Sequence, residues 1–149
     1  MTDQDIDPAE ALEIAGRARA GLAERNLSPW WYAPVYGAGV GVSMSSFGLT
    51  GFSSAAAAVG GLAVVLSAYA VWSRSTGVSV HGFRAGKPGW IAAGLVLFLL
   101  GVSAAGLWLR ARYGYDWAPF AAAAVAAAGA AIGSRLWDAA WLAQLRAGR

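Results

Sequence analysis

The chain has 149 residues, a formal net charge of +3 and no cysteine, and it is 58% hydrophobic but only 13% charged. Soluble domains carry about a quarter of their residues as charges, and a soluble core needs polar faces between its apolar ones, which most of this sequence lacks. A soluble fold, disulfides and thiolate metal sites are therefore excluded, and without a basic cluster or reader motif nucleic-acid binding is excluded too.

Residues 1–7 are acidic, with Asp3, Asp5 and Asp7, and carry no early apolar run, so no signal peptide is expected. Asp7-Pro8-Ala9-Glu10 then reads as a helix start. Asp7 can cap free backbone amides, Pro8 suits the first helical position and Glu10 can complete a capping box. On a 3.6-residue period Ala11, Ile14, Ala15, Ala18 and Leu22 share one face, opposite Glu10, Glu13, Arg17 and Glu24. Glu13 and Arg17 form a favourable i,i+4 pair. The pattern predicts an amphipathic cytoplasmic helix that ends before Ser28-Pro29 and lies under the bundle, on the membrane surface, or against a cytoplasmic partner. Residues 1–29 form this region and 30–149 the transmembrane domain.

Crossing a hydrocarbon core of about 30 Å takes about 20 helical residues. Four stretches qualify, at about 33–49, 52–72, 90–109 and 117–137. The first is the weakest, because Pro34, Gly37, Gly39, Gly41 and Gly48 lower its helix propensity. A Gly-Leu-Thr-Gly turn joins it to the second span. That turn is uncharged, so a re-entrant pair is the alternative to two full crossings. Beyond Trp137, the segment through Trp141 and Arg146 continues the fourth span as a juxtamembrane helix whose arginines reach anionic lipid.

Charge and aromatic placement agree on orientation. Of the eleven Lys and Arg residues, all but Arg110 and Arg112 fall on the side of the N terminus if the spans alternate. Positive residues stay inside, which puts both termini in the cytoplasm. All eight tryptophans mark predicted helix ends: Trp30, Trp31, Trp72, Trp90, Trp137 and Trp141 on the inner side, Trp108 and Trp117 on the outer. An indole favours the headgroup level because its body is apolar and its N–H is a donor. The fold class expected is an all-α membrane protein, a four-transmembrane-helix bundle with an N-terminal amphipathic helix.

No Asp, Glu, His, Lys or Arg lies in the interior of the four spans; Arg135 stands at the inner end of the fourth. Proton-coupled transporters, voltage sensors and most intramembrane enzymes need an ionisable group at depth. His81 is the only histidine, so no two-histidine metal site or haem clamp forms within one chain. The serines in the spans have no acid-base partner nearby, and their hydroxyls are expected to bond to backbone carbonyls or across helices. No catalytic residue, metal or cofactor is implied, and the protein is expected not to be an enzyme.

Two sets of residues remain as candidate contacts. The loop over 73–89 alternates Val78, Val80 and Phe83 with polar residues between glycines, which suggests a hairpin-like excursion against the membrane. Arg74, His81, Arg84 and Lys87 give it a basic face for lipid headgroups, an anionic ligand or a protein partner. Small residues recur every four positions at Gly37-Gly41-Ser45, Ala57-Gly61, Gly101-Ala105 and Gly129-Gly133. Such ridges let helices approach closely. They pack the bundle itself, or form a homo-oligomer or seat a membrane protein partner, with Gly129-Gly133 the preferred ridge for that role.

Pro29-Trp30-Trp31-Tyr32 with Pro34, followed after two spans by Arg74-Ser-Thr76-Gly77-Val78-Ser-Val80-His81-Gly82-Phe83-Arg84-Ala-Gly86, resembles a family of small membrane proteins of high-GC bacteria. The resemblance implies four spans and a bacterial inner-membrane location, and it transfers no catalytic residue. Two function classes follow from the whole sequence. The first is a non-enzymatic membrane component that self-associates or accompanies a partner. The second is a binder or transporter of a lipid or small apolar or zwitterionic molecule, with a groove of Met44, Phe47 and Tyr69 and a headgroup met by Arg74 or Arg84.

Overall fold

The computed structural model describes residues 10, 11, 13, 14, 28–76 and 87–146. Four helices follow one another: α1 (Tyr32–Ser45), extended by a 3-10 turn (Ser46–Gly48), α2 (Gly51–Thr76), α3 (Lys87–Tyr113) and α4 (Ala118–Arg146). No strand occurs among the described residues. Of the expected N-terminal helix, Glu10, Ala11, Glu13 and Ile14 are helical and exposed, and the rest lies outside the described residues.

Three helices, over 51–75, 89–113 and 118–143, are long and apolar enough to cross a membrane. The expected first span is the exception. Its α-helix has 14 residues and its last turn tightens to 3-10, for a combined rise of about 27 Å. Two helices outrun their expected bounds: α2 continues past Trp72 to Thr76 and α3 already begins at Lys87; α4 runs unbroken to Arg146, as the expected juxtamembrane continuation requires. Pro88 and Pro119 fit because each stands in a first helical turn, where no intrahelical N–H is lost. The hairpin-like excursion expected over 73–89 is thus shortened by helix on both sides, and 77–86 lie outside the described residues.

The lateral order is α2–α1–α4–α3: α1 packs on α2 and α4, α4 packs on α1 and α3, and α2 and α3 make no extensive contact with each other. The seams are made by small residues. Between α1 and α2, a Cβ on Gly39 would stand 3.0 Å from the Gly61 carbonyl, and one on Gly61 would collide with the Ser43 amide nitrogen. Between α1 and α4, a Cβ on Gly37 would fall 2.5 Å from the Ala127 carbonyl, and one on Gly41 2.8 Å from the Ala127 methyl. The core at this second seam is Val40, Ala126 and Ala130, with Tyr36, Met44, Val65 and Leu99 around it.

Serine hydroxyls reinforce the small-residue contacts. Ser43 Oγ donates to the Ala58 carbonyl at 3.1 Å and Ser54 Oγ to that of Ser46 at 2.9 Å, tying α2 to α1 and its 3-10 turn. Ser45, Ser53, Ser73 and Ser75 bond back to carbonyls three residues earlier, as expected of hydroxyls in apolar helices.

Two arginines hold the short α1 at its ends. At the α3–α4 end, Arg110 Nη1 makes long hydrogen bonds of 3.4 Å to the carbonyls of both Phe47 and Gly48, while its Nε meets Asp116 Oδ1 at 3.2 Å. These carbonyls are among those a helix C-terminus leaves unsatisfied. At the other end Arg135 Nη2 donates to the Trp30 carbonyl at 2.9 Å. The tight α3–α4 connection turns at Gly114, whose φ of +71° suits glycine and whose N–H bonds the Arg110 carbonyl at 2.9 Å. Around it Trp108, Tyr113, Tyr115 and Trp117 form a chain of exposed rings with centroids 5.6 to 5.7 Å apart.

Large apolar side chains point outward and small ones inward. Val59, Leu97 and Ile132 are at least 60% exposed, whereas six of the eight buried apolar residues are alanines: Ala33, Ala68, Ala118, Ala123, Ala126 and Ala130. A water-soluble bundle has the reverse distribution. Small residues that permit close backbone contact make the interior, the distribution found where helices pack within a bilayer.

Candidate functional site

Because α2 and α3 stay apart, α1 and α4 floor a cleft between them. It opens at the end of the bundle where α1 begins, α2 ends, α3 begins and α4 ends. Its volume is about 240 Å³, and every helix contributes: Tyr32 and Tyr36 from α1, Tyr69 and Trp72 from α2, Ile91, Ala92 and Leu95 from α3, and Gly133, Ser134, Trp137 and Asp138 from α4. Ser28, just before α1, completes the rim.

Helical spacing brings the aromatic rings together. Tyr32 and Tyr36 are one turn apart, as are Tyr69 and Trp72, so each pair shares a helix face. Tyr32 stacks on Tyr36 with centroids 6.0 Å apart and meets Trp72 across the seam at 5.7 Å, while Tyr69 touches Trp72 at 6.0 Å. Trp72 is buried. On α4, Trp137 stacks on Trp141 with planes only 6° apart, which fixes the orientation of the Trp137 ring.

Asp138 is the one charged side chain that lines the cleft. The Ser28 hydroxyl hydrogen-bonds its carboxylate, and Arg135 lies within electrostatic reach. The Arg135 guanidinium is also engaged with the Trp30 carbonyl at 2.9 Å. Chemically, the cleft offers an apolar wall from α3, a bed of aromatic rings with three phenol hydroxyls, and a single half-buried carboxylate. Among the described residues, Asp138 and the three phenols are the ionisable groups of the lining.

Comparison with protein-family models, curated proteins and solved structures finds no match.

The cleft has to be weighed against the residues singled out in the sequence. Arg74 stands exposed on the last turn of α2, two positions from Trp72, and does not line the cleft. Lys87 is the first residue of α3, and His81 and Arg84 lie outside the described residues. The expected groove of Met44, Phe47 and Tyr69 is not assembled. Only Tyr69 reaches the cleft; Met44 packs on the core and accepts a hydrogen bond from Ser103 at 3.3 Å, and Phe47 sits at the opposite end near Arg110.

Three of the four small-residue ridges face inward, while Gly101-Ala105 on α3 is exposed, with nothing within 4 Å of a Cβ on Gly101. Gly37 and Gly41 lie against α4, and Gly129 and Gly133 lie against α3, where Phe98 covers the first and Leu95 would stand 3.1 Å from a Cβ on the second. The ridge preferred for a second copy is therefore filled by the chain's own third helix.

Sequence reasoning misses Tyr36 and, more consequentially, the cleft's one acid, Asp138. It falls one position beyond the fourth expected span, so the absence of charge within the spans left it out. A signal was present: an acid between Trp137 and Trp141, one turn from Arg135, in an otherwise apolar helix end.

Proposed function

We propose that this chain is a non-enzymatic integral protein of a bacterial plasma membrane that crosses the bilayer four times, keeps both termini in the cytoplasm and holds a small molecule in its four-helix cleft. The observation that carries the binding role is the cleft itself. Four helices leave open, at one end, a concave site lined by rings and a carboxylate, the usual make-up of small-molecule sites. The inward alanines, outward valines and leucines and interfacial tryptophans support the membrane. The bias of Lys and Arg to one side supports the orientation, which turns the cleft toward the cytoplasm. Arg74, exposed on the last turn of α2, then meets anionic lipid headgroups at the cytoplasmic surface, and the same role is proposed for His81, Arg84 and Lys87.

A self-associating or partner-binding component has less support. Its main argument is the small-residue ridges; the preferred one, Gly129-Gly133, packs on the chain's own α3, and only Gly101-Ala105 stays exposed.

Native mass spectrometry of protein purified mildly from its host membrane separates the two. A monomer carrying one small molecule is expected, with occupancy at least tenfold lower after Ala92→Phe, which places a ring in the cleft. A defined oligomer or a stoichiometric second protein, with the cleft empty, would contradict the proposal.

A further inference from the structure

We infer that the cleft binds a small organic cation, a substituted ammonium group, between the aromatic rings and Asp138; this deepens the binding role proposed above and rests on it. Among the described residues the lining contains one carboxylate and no lysine or arginine, a set that favours a positive guest over an anionic one. Ring faces carry the negative part of the aromatic quadrupole, and Tyr and Trp attract ammonium groups within about 6 Å. Four such rings, Tyr32, Tyr36, Tyr69 and Trp72, form one continuous group with centroids 5.7 to 6.0 Å apart. Trp137, held flat against Trp141, stands beside Asp138 on the α4 wall.

The carboxylate completes the selection. A charge drawn from water into an apolar cleft needs compensation. Asp138 has a hydroxyl from Ser28 and the field of Arg135, but the Arg135 guanidinium is directed to the Trp30 carbonyl, so the face of Asp138 in the cleft is left to a guest. A neutral apolar guest would gain from the rings and nothing from Asp138. The volume of about 240 Å³ is below the roughly 300–1,000 Å³ of drug-sized sites. It suits a single head group with a short tail. The same ammonium chemistry occurs in a lipid headgroup and in a free amine.

The test uses the full chain in uncharged detergent, titrated with choline and with its neutral carbon isostere 3,3-dimethyl-1-butanol, binding being read by calorimetry. Choline is expected to bind at least tenfold more tightly than the isostere. Asp138→Asn is expected to weaken choline at least tenfold and leave the isostere unchanged. Trp137→Leu, which keeps an apolar side chain but removes a ring, provides a second variant if Asp138→Asn does not fold, and is expected to weaken choline severalfold. Mixed micelles with phosphatidylethanolamine or phosphatidylglycerol then identify the source. Retention of the first lipid, and its displacement by choline, assigns a lipid headgroup; choline binding without lipid retention assigns a free amine.

Equal binding of choline and isostere, both lost in Ala92→Phe, would overturn the cation and leave the cleft as a binding site. Binding indifferent to Ala92→Phe would overturn both. No choline binding up to the millimolar range would overturn the ammonium assignment.

Discussion

Gly61→Leu is expected to leave little folded protein, while Gly60→Leu, one position away on the same helix, is expected to behave like the unsubstituted chain. A Cβ at position 61 collides with the Ser43 amide nitrogen and comes within 2.5 Å of the Gly39 carbonyl. Both obstacles are backbone, so no rotamer change relieves them and α2 must move off α1. Overpacking that side chains can absorb costs about 1–3 kcal/mol. A clash that separates two helices costs more, a large share of a total stability of about 5–15 kcal/mol. At Gly60 nothing lies within 4 Å, so a leucine there points to open space. The comparison is read as the monodisperse fraction after detergent extraction and as the melting temperature. Similar values for the two variants would mean that α1 and α2 do not meet at Gly39 and Gly61.

The second large effect is expected in the alanine-rich fourth helix. Ala126 is 0% exposed and belongs to the core with Val40 and Ala130, whereas Ala124 is exposed. Leucine at 126 forces three extra carbons into the seam that α1 shares with α4, with a cost of about 1–3 kcal/mol or more. Leucine at 124 meets no core and is expected to change the melting temperature little. A thermal melt of both variants in detergent gives the result. Equal destabilisation would show that the inner face of α4 is elsewhere.

These pairs mark where the sequence stops being informative. Long apolar runs predict helix and span length well, because the requirement is only composition over about 20 residues. Hence α2, α3 and α4 lie close to their expected places. Which alanine of 121–131 faces inward is a different matter. Every face of that helix is apolar or small, so no periodicity distinguishes a core position from an outer one. Glycine spacing likewise marked Gly37, Gly41, Gly129 and Gly133 as contact positions without saying which helix each would meet.

The length of α1 was obscured by its glycines. They lower helix propensity yet are required by its close seams with α2 and α4, and its final turn tightens where Arg110 takes up the carbonyls of Phe47 and Gly48. The cleft was hardest to foresee. It follows from the order α2–α1–α4–α3, a tertiary property, and it unites Tyr32, Tyr69, Ile91 and Asp138 from segments far apart in the chain. Once the helices are in place, the i,i+4 spacing of Tyr32 and Tyr36 and the i,i+3 spacing of Tyr69 and Trp72 explain why four rings meet there.

A chain with no cysteine allows the central claim, four membrane crossings with the cleft facing the cytoplasm, to be tested by single substitutions to cysteine. Thr50→Cys and Tyr115→Cys stand at the connections of α1 to α2 and α3 to α4; Ser79→Cys and Gly148→Cys stand in the middle loop and near the C terminus. With a membrane-impermeant maleimide on spheroplasts, Thr50→Cys and Tyr115→Cys are expected to label at once, and Ser79→Cys and Gly148→Cys only after permeabilisation. The reverse pattern, or labelling of Thr50→Cys only after permeabilisation, would contradict the four-crossing orientation.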